Sequence, residues 1–226
     1  MPKMLLFVKP SGGGGGGGLV TLPIGLRFDG NFNDYYSNTI SITASGGATL
    51  ATGSPSPYSG SGYLNANFGR VSSSGFNIPS LSATDFTIEC WVYRPTDYTE
   101  NRQGIVSLGQ VNGYSGVNFY YYVIDGGLVF NNGLAGNIAA GTIPVEEWTH
   151  IAAVMSSGQT RLYIGGVDQE VVGYQTPLNS DYKLNIGNID ARWNGASFAS
   201  DILIDELRIS STAIYTENFS PTSWAV

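Results

Sequence analysis

Asp201, Asp205 and Glu206 are the acidic residues whose spacing comes nearest to paired-carboxylate chemistry. Two carboxyl groups that share acid and nucleophile roles across a glycosidic bond must stand on one face, an even number of residues apart along a strand. Asp201 and Asp205 share a parity. Glu206 falls on the opposite side of a regular strand, and no E-x-D-x-E or E-x-D-x-x-E run occurs. Glu206 therefore reads as structural, paired with Arg208 or with a backbone amide. His150 is the single histidine, set between Thr149 and Ile151, and reads as a satisfied structural residue. One histidine, one cysteine (Cys90) and no G-x-S-x-G run supply neither a nucleophile–base pair nor a zinc site. The polyglycine run is not followed by the lysine of a phosphate-cradling loop. The chain is therefore expected not to be an enzyme.

Calcium is the one metal left open. Asp29-Gly30-Asn31-Phe32-Asn33-Asp34 places oxygen-bearing side chains at alternate positions, as calcium loops do, with Asp29 and Asp34 as the candidate ligands. The glycine at the sixth position and the later bidentate glutamate of such loops are missing, so an Asn/Asp-rich turn competes with the metal reading. Saccharide binding needs aromatic faces beside amide or carboxylate partners. Three polar segments offer that mixture: one with Tyr98 and Asn101, one with Tyr114, and one with Trp193 and Asn194, where a tryptophan stands among polar residues. Glu89, Trp91 and Tyr93 share the face opposite an apolar row, either packed under a loop or open to a ligand.

These residues need a frame. The chain has 226 residues, of which 12% are charged, with 31 glycines and 14 tyrosines. Low charge and many turn formers fit short strands joined by many turns. Asp85 to Tyr93 is the clearest strand, with Phe86, Ile88, Cys90 and Val92 on one face. Further strands are predicted near 22–28, 40–44, 63–68, 105–108, 117–124, 128–130, 148–155, 161–164, 167–172, 183–186 and 202–209, with a turn or one helical turn at 78–82. That number of short segments implies an all-β, two-sheet antiparallel sandwich over residues 22–226. Residues 1–21 form a separate N-terminal arm. Its apolar residues Leu5, Leu6 and Phe7 precede an unbroken run from Gly12 to Gly18, read either as a linker or as an anchor docking on another subunit. The net charge of −7, with no basic run, disfavours nucleic acid. No apolar stretch approaches the length of a membrane span. Met4 to Val8 is shorter than a signal-peptide core, so export by the common route is not expected.

Several segments taken in order resemble a known family. They are Leu26-Arg27-Phe28-Asp29-Gly30, Asp85 to Tyr93, Glu147-Trp148-Thr149-His150-Ile151-Ala152, Arg161 to Gly166, and Ile204-Asp205-Glu206-Leu207-Arg208-Ile209-Ser210 followed by Ile214 to Phe219. The set is similar to the laminin-G-like branch of the concanavalin A-like lectin/glucanase superfamily, over residues ~24 to 222. The resemblance implies a jelly roll of two antiparallel sheets, and often a calcium ion near loop aspartates. It does not fix function, because that fold hosts lectins, glycosidases and structural modules alike. The version here most resembles domains on phage virion proteins. It implies a non-enzymatic virion surface protein, a capsid decoration or a tail or fibre appendage. Such a protein would be held as a homo-oligomer, or on other virion proteins, through its arm. The alternatives are an adhesin for host surface glycans and, behind that, a polysaccharide-active enzyme.

Overall fold

The structure, a computed structural model, describes residues 23–36, 40–53, 57–58, 62–67, 69–73, 85–95, 103–109, 116–121, 126–131, 137–174, 183–189, 198–199 and 201–223. Strands account for most of them, and no helix occurs among them. In chain order the strands are β1 (Ile24–Leu26), β2 (Ile42–Ser45), β3 (Thr49–Thr52), β4 (Gly62–Asn65), β5 (Arg70–Ser73) and β6 (Phe86–Tyr93). Then come β7 (Gln103–Gly109), β8 (Gly116–Tyr121), β9 (Gly127–Asn131), β10 (Asn137–Thr142), β11 (Trp148–Ser156) and β12 (Gln159–Ile164). The last are β13 (Val167–Tyr174), β14 (Lys183–Ile186), β15 (Asn188–Ile189), β16 (Phe198–Ala199) and β17 (Leu203–Ser210).

They form two main antiparallel sheets. The eight-stranded sheet runs β13-β12-β11-β6-β17-β4-β3, with β1 also paired to β17. The seven-stranded sheet runs β10-β9-β8-β7-β14-β5-β2. Period-two patterning builds the layer between them. Phe86, Ile88, Cys90 and Val92 of β6 face Val106 and Leu108 of β7, Phe130 of β9 and Ile186 of β14 across one apolar core. Each such side chain contributes about 1.5–3 kcal/mol through burial. Two hairpins at the sheet edge close through two-residue turns whose residues all have positive φ. Ser157 and Gly158 join β11 to β12, and Gly165 and Gly166 join β12 to β13.

The predicted strands are present with shifted ends, and β3, β5, β10 and the short β15 and β16 are additional to them. Ile78 to Ser82, expected as a turn, lies outside the described residues. One feature departs from the simple pattern. β6 and β11 are buried on both faces over most of their length, where alternation predicts one wet face. The cause is residues 211–223, which fold back over the outer face of the eight-stranded sheet. Ala213, Tyr215 and Phe219 pack on Ala152, Val154 and Tyr163. The Tyr215 and Phe219 rings stack at 3.6 Å, and Phe219 meets the His150 ring edge-on at 5.5 Å. Backbone bonds fix the strap: Phe219 N donates to Gly166 O at 2.9 Å, and Thr87 Oγ1 donates to Thr212 O at 2.8 Å. Gly166 permits this approach, since a Cβ there would stand 2.0 Å from Phe219 O.

Candidate functional site

The strap decides the role of the charged residues beneath it. Glu89 projects from β6 onto the outer face and is fully buried. Its Oε1 accepts from Arg208 Nε of β17. Its Oε2 accepts from Tyr215 Oη of the strap at 2.7 Å and from His150 Nε2 of β11 at 3.1 Å. The strand registers set this up, with Arg208 opposite Glu89 and His150 opposite the adjacent Trp91. Burial alone would raise the Glu89 carboxyl. The His150 hydrogen bond and the Arg208 guanidinium outweigh it and hold the group below the usual carboxylate range. Burial, reinforced by the Glu89 charge, pushes the Tyr215 phenol up, so it stays a donor. The arrangement locks Glu89 as an ionised acceptor and leaves it no part in proton transfer.

A pH dependence follows. A carboxyl lowered in the folded state contributes stability above its unfolded value, near 4.3. That stability is lost as pH falls through the lower folded value. Urea unfolding of the wild type is expected to weaken more steeply below about pH 4 than that of Glu89→Gln, which starts less stable at pH 7. Parallel acid limbs for the two proteins would contradict the assignment.

The bulge at Glu206, whose φ is 47°, corrects one expectation. It shifts the register between Asp205 and Arg208, so that Leu207, rather than Glu206, enters the core. Glu206 Oε1 accepts from Ser223 Oγ at 2.5 Å. Asp201 accepts from Gln103 Nε2 at 3.5 Å across one end of the sandwich, where burial raises its carboxyl. Trp91 packs against Tyr58 and His150 at 5.5 Å each, and Tyr93 against Trp148 at 5.6 Å. The sheet-face aromatics are thus largely consumed in packing.

Asp29 and Asp34 are both wired to backbone. Asp29 Oδ1 accepts from Gly62 N at 2.6 Å, and its Oδ2 lies 3.2 Å from Arg27 Nε. Asp34 is buried and accepts from Gly25 N at 2.6 Å, pinning β1. Asn33 N donates to Asn31 Oδ1 at 2.8 Å, the mark of an Asx turn. Each carboxylate thus ties the 29–34 turn to a strand, Asp29 to β4 through Gly62 and Asp34 to β1 through Gly25. Among the described residues, no three His, Cys, Asp or Glu side chains converge as a ligand set. Tyr98, Asn101, Tyr114, Trp193 and Asn194 lie outside the described residues, as do Leu5, Leu6, Phe7, Gly12 and Gly18 of the arm.

With one outer face closed by the strap, the other becomes informative. On the seven-stranded sheet, polar residues line up across every strand. The register pairs Thr43 of β2 with Ser72 of β5, Ser72 with Asn185 of β14, and Asn185 with Ser107 of β7. It continues from Ser107 to Asn118 of β8, from Asn118 to Asn131 of β9, and from Asn131 to Asn137 of β10. Val71, Val106, Leu108, Leu184, Ile186, Phe130 and Ile138, chain neighbours of Ser72, Ser107, Asn185, Asn131 and Asn137, enter the core, which turns those five outward. Two bonds run along it: Asn185 Nδ2 to Ser107 Oγ at 3.5 Å, and Asn131 Nδ2 to Asn137 Oδ1 at 2.6 Å. Among the described side chains of the row, Thr43 and Asn137 are exposed, Ser72 and Asn131 half-buried, and Asn185 and Ser107, at the centre, buried at 6% and 4% exposure. Gly109 faces Gly116, so two central strands carry no side chain in the next row.

None of these row residues was singled out from the sequence. Each lies in a short segment with the ordinary look of a wet sheet face. The signal was present as Asn or Ser on six neighbouring strands, but only the sheet order aligns them.

A laminin G family model of the concanavalin A-like lectin/glucanases superfamily matches residues 65–218. No curated protein matches the sequence. Among solved structures, the chain is similar to domain 4 of AbnA, an extracellular GH43 arabinanase from Geobacillus stearothermophilus, in complex with arabinotriose. The identity is 21%, over 87% of this chain and 95% of that domain, with a TM-score of 0.63. It is also similar to Trypanosoma rangeli sialidase, at 14% identity over 85% of this chain, with a TM-score of 0.60. A third is the binding domain of botulinum neurotoxin DC in complex with rat synaptotagmin II, at 14% identity over 85% of this chain, with a TM-score of 0.59. The likeness spans 30% of the sialidase and 48% of the neurotoxin chain. At these identities the likeness is one of fold.

Proposed function

Because the chain belongs to the concanavalin A-like lectin/glucanase superfamily, we propose that it is a non-catalytic saccharide-binding module whose ligand lies on the outer face of the seven-stranded sheet. The observation that carries this reading is the unbroken row of hydroxyl and amide side chains from Thr43 to Asn137. Each of these groups both donates and accepts, as a sugar hydroxyl does. Domain 4 of AbnA, solved with arabinotriose, supports saccharide as the ligand class for this fold. The row itself carries no carboxylate to act as acid or nucleophile. Glu89 is committed to three donors on the opposite sheet, and Asp29 and Asp34 to backbone amides. This arrangement supports binding without cleavage. A glycan array, read together with an assay for released reducing ends, tests the proposal. Binding without release is expected, whereas release of reducing ends would reject the non-catalytic half.

We place the module on the outside of a virion, held through residues 1–21 to copies of itself or to other virion proteins. The support is the sequence of the arm, an apolar run followed by seven glycines from Gly12 to Gly18. Sedimentation velocity is expected to show a smaller species once residues 1–18 are deleted. An unchanged oligomeric state would count against the arm as anchor.

A further inference from the structure

The two rims of the sandwich differ. At one rim β13 and β10 end their sheets, and Gly141 N of β10 donates to Gln169 Oε1 of β13 at 3.2 Å, which ties sheet to sheet. That rim also carries the charges of Asp168 and Glu170 and an irregular register between β12 and β13, features that keep other strands from pairing there. At the other rim β3 and β2 end their sheets. Residues 40–52, which hold both strands, contain no charged residue and no proline. Ile40, Ile42, Ala44 and Leu50 pack on the core from this rim and are only partly buried. An uncharged edge strand beside partly covered apolar side chains is a template for one more strand.

Resting on the reading of the arm as an anchor, we infer that residues 4–8 of a neighbouring copy add to the edge of β3 as a further strand of the eight-stranded sheet. Three observations support this occupant. The first is composition. Met4, Leu5, Leu6, Phe7 and Val8 are all apolar, so either parity sends apolar side chains inward over Ile42, Ala44 and Leu50. The second is charge. Lys3 and Lys9 flank the run, and the chain they approach has a net charge of −7. The third is length. β6 lies on one side of β17, while β1 and β4 both pair with its other side, and β3 follows β4. The arm thus leaves the domain at Ile24 about one strand spacing, ~4.8 Å, from the line of the chain's own β3. Residues 9–23 span up to about 50 Å when extended. A return to the chain's own edge needs a fraction of that reach, whereas a neighbour's edge uses it.

Sedimentation velocity and amide hydrogen exchange on the full chain test the inference. The wild type is expected to sediment as an oligomer with slow exchange in β3. Leu6→Asp in the arm is expected to yield a folded monomer and to speed exchange in β3 by about tenfold or more, while β13 does not respond. Thr49→Lys combined with Thr52→Lys, at two exposed positions of β3, is expected to do the same. Because Leu6 lies outside the jelly roll, its variant keeps the test valid even if the lysines disturb folding. An oligomer that dissociates on deletion of residues 1–18 with β3 exchange unchanged would overturn this inference and leave the arm as anchor. A monomeric wild type whose β3 exchange speeds up in Leu6→Asp would place the run on its own edge and overturn the neighbour as donor. An oligomer of unchanged size after the deletion would overturn both this inference and the anchor.

Discussion

Arg208→Ala is expected to destabilise the domain by about 3–5 kcal/mol. The change removes the guanidinium from a carboxylate that is fully buried and leaves the Glu89 charge held only by His150 and Tyr215. An uncompensated buried charge, more than the lost attraction, sets that magnitude. For a domain of this size it corresponds to a fall in Tm of roughly 6–20 °C. The same change loosens the strap, because Arg208 Nη2 also donates to Tyr215 Oη at 3.4 Å. Arg208→Lys keeps the charge and is expected to lose less, since a lysine cannot reproduce the Nε contact in its fixed plane. Thermal denaturation of the three proteins checks the series. A loss below about 1 kcal/mol for Arg208→Ala would place Glu89 among ordinary surface ion pairs and contradict its burial.

The second large effect concerns binding. Asn185→Ala combined with Asn131→Ala is expected to lower saccharide affinity by about one to two orders of magnitude. Each change removes one or two neutral hydrogen bonds worth about 0.5–1.5 kcal/mol apiece. Asn185 is buried and bonds to Ser107, so its loss is also expected to lower Tm modestly, and Asn131→Ala alone, at a half-buried position, separates lost affinity from lost stability. Equal affinity in the double variant would remove the row from the binding site.

The framework of this fold was legible because β6 keeps strict alternation, and buried apolar parity is visible without a partner strand. Three features were not legible, each for a physical reason. Glu89 occupies the outward parity of β6 and reads as exposed. Its burial depends on Tyr215 and Phe219 returning from more than a hundred residues away. Glu206 was placed opposite Asp205 by parity, yet a bulge adds a residue and leaves no period-two trace. The row depends on β14 inserting between β5 and β7, which puts Asn185 beside Ser107 across 78 residues of chain. Local pattern finds a wet face and says nothing about what aligns along it.

The row is tested most directly by side-chain amide resonances in a nitrogen–proton correlation spectrum during titration with arabinotriose, the saccharide in the similar AbnA domain. The side-chain amides of Asn131, Asn137 and Asn185 are expected to shift together at one saturating concentration, while backbone amides of β11 and β12 under the strap stay still. Shifts confined to β11, β12 or the strap, with those three asparagines unmoved, would contradict the assignment of the binding face.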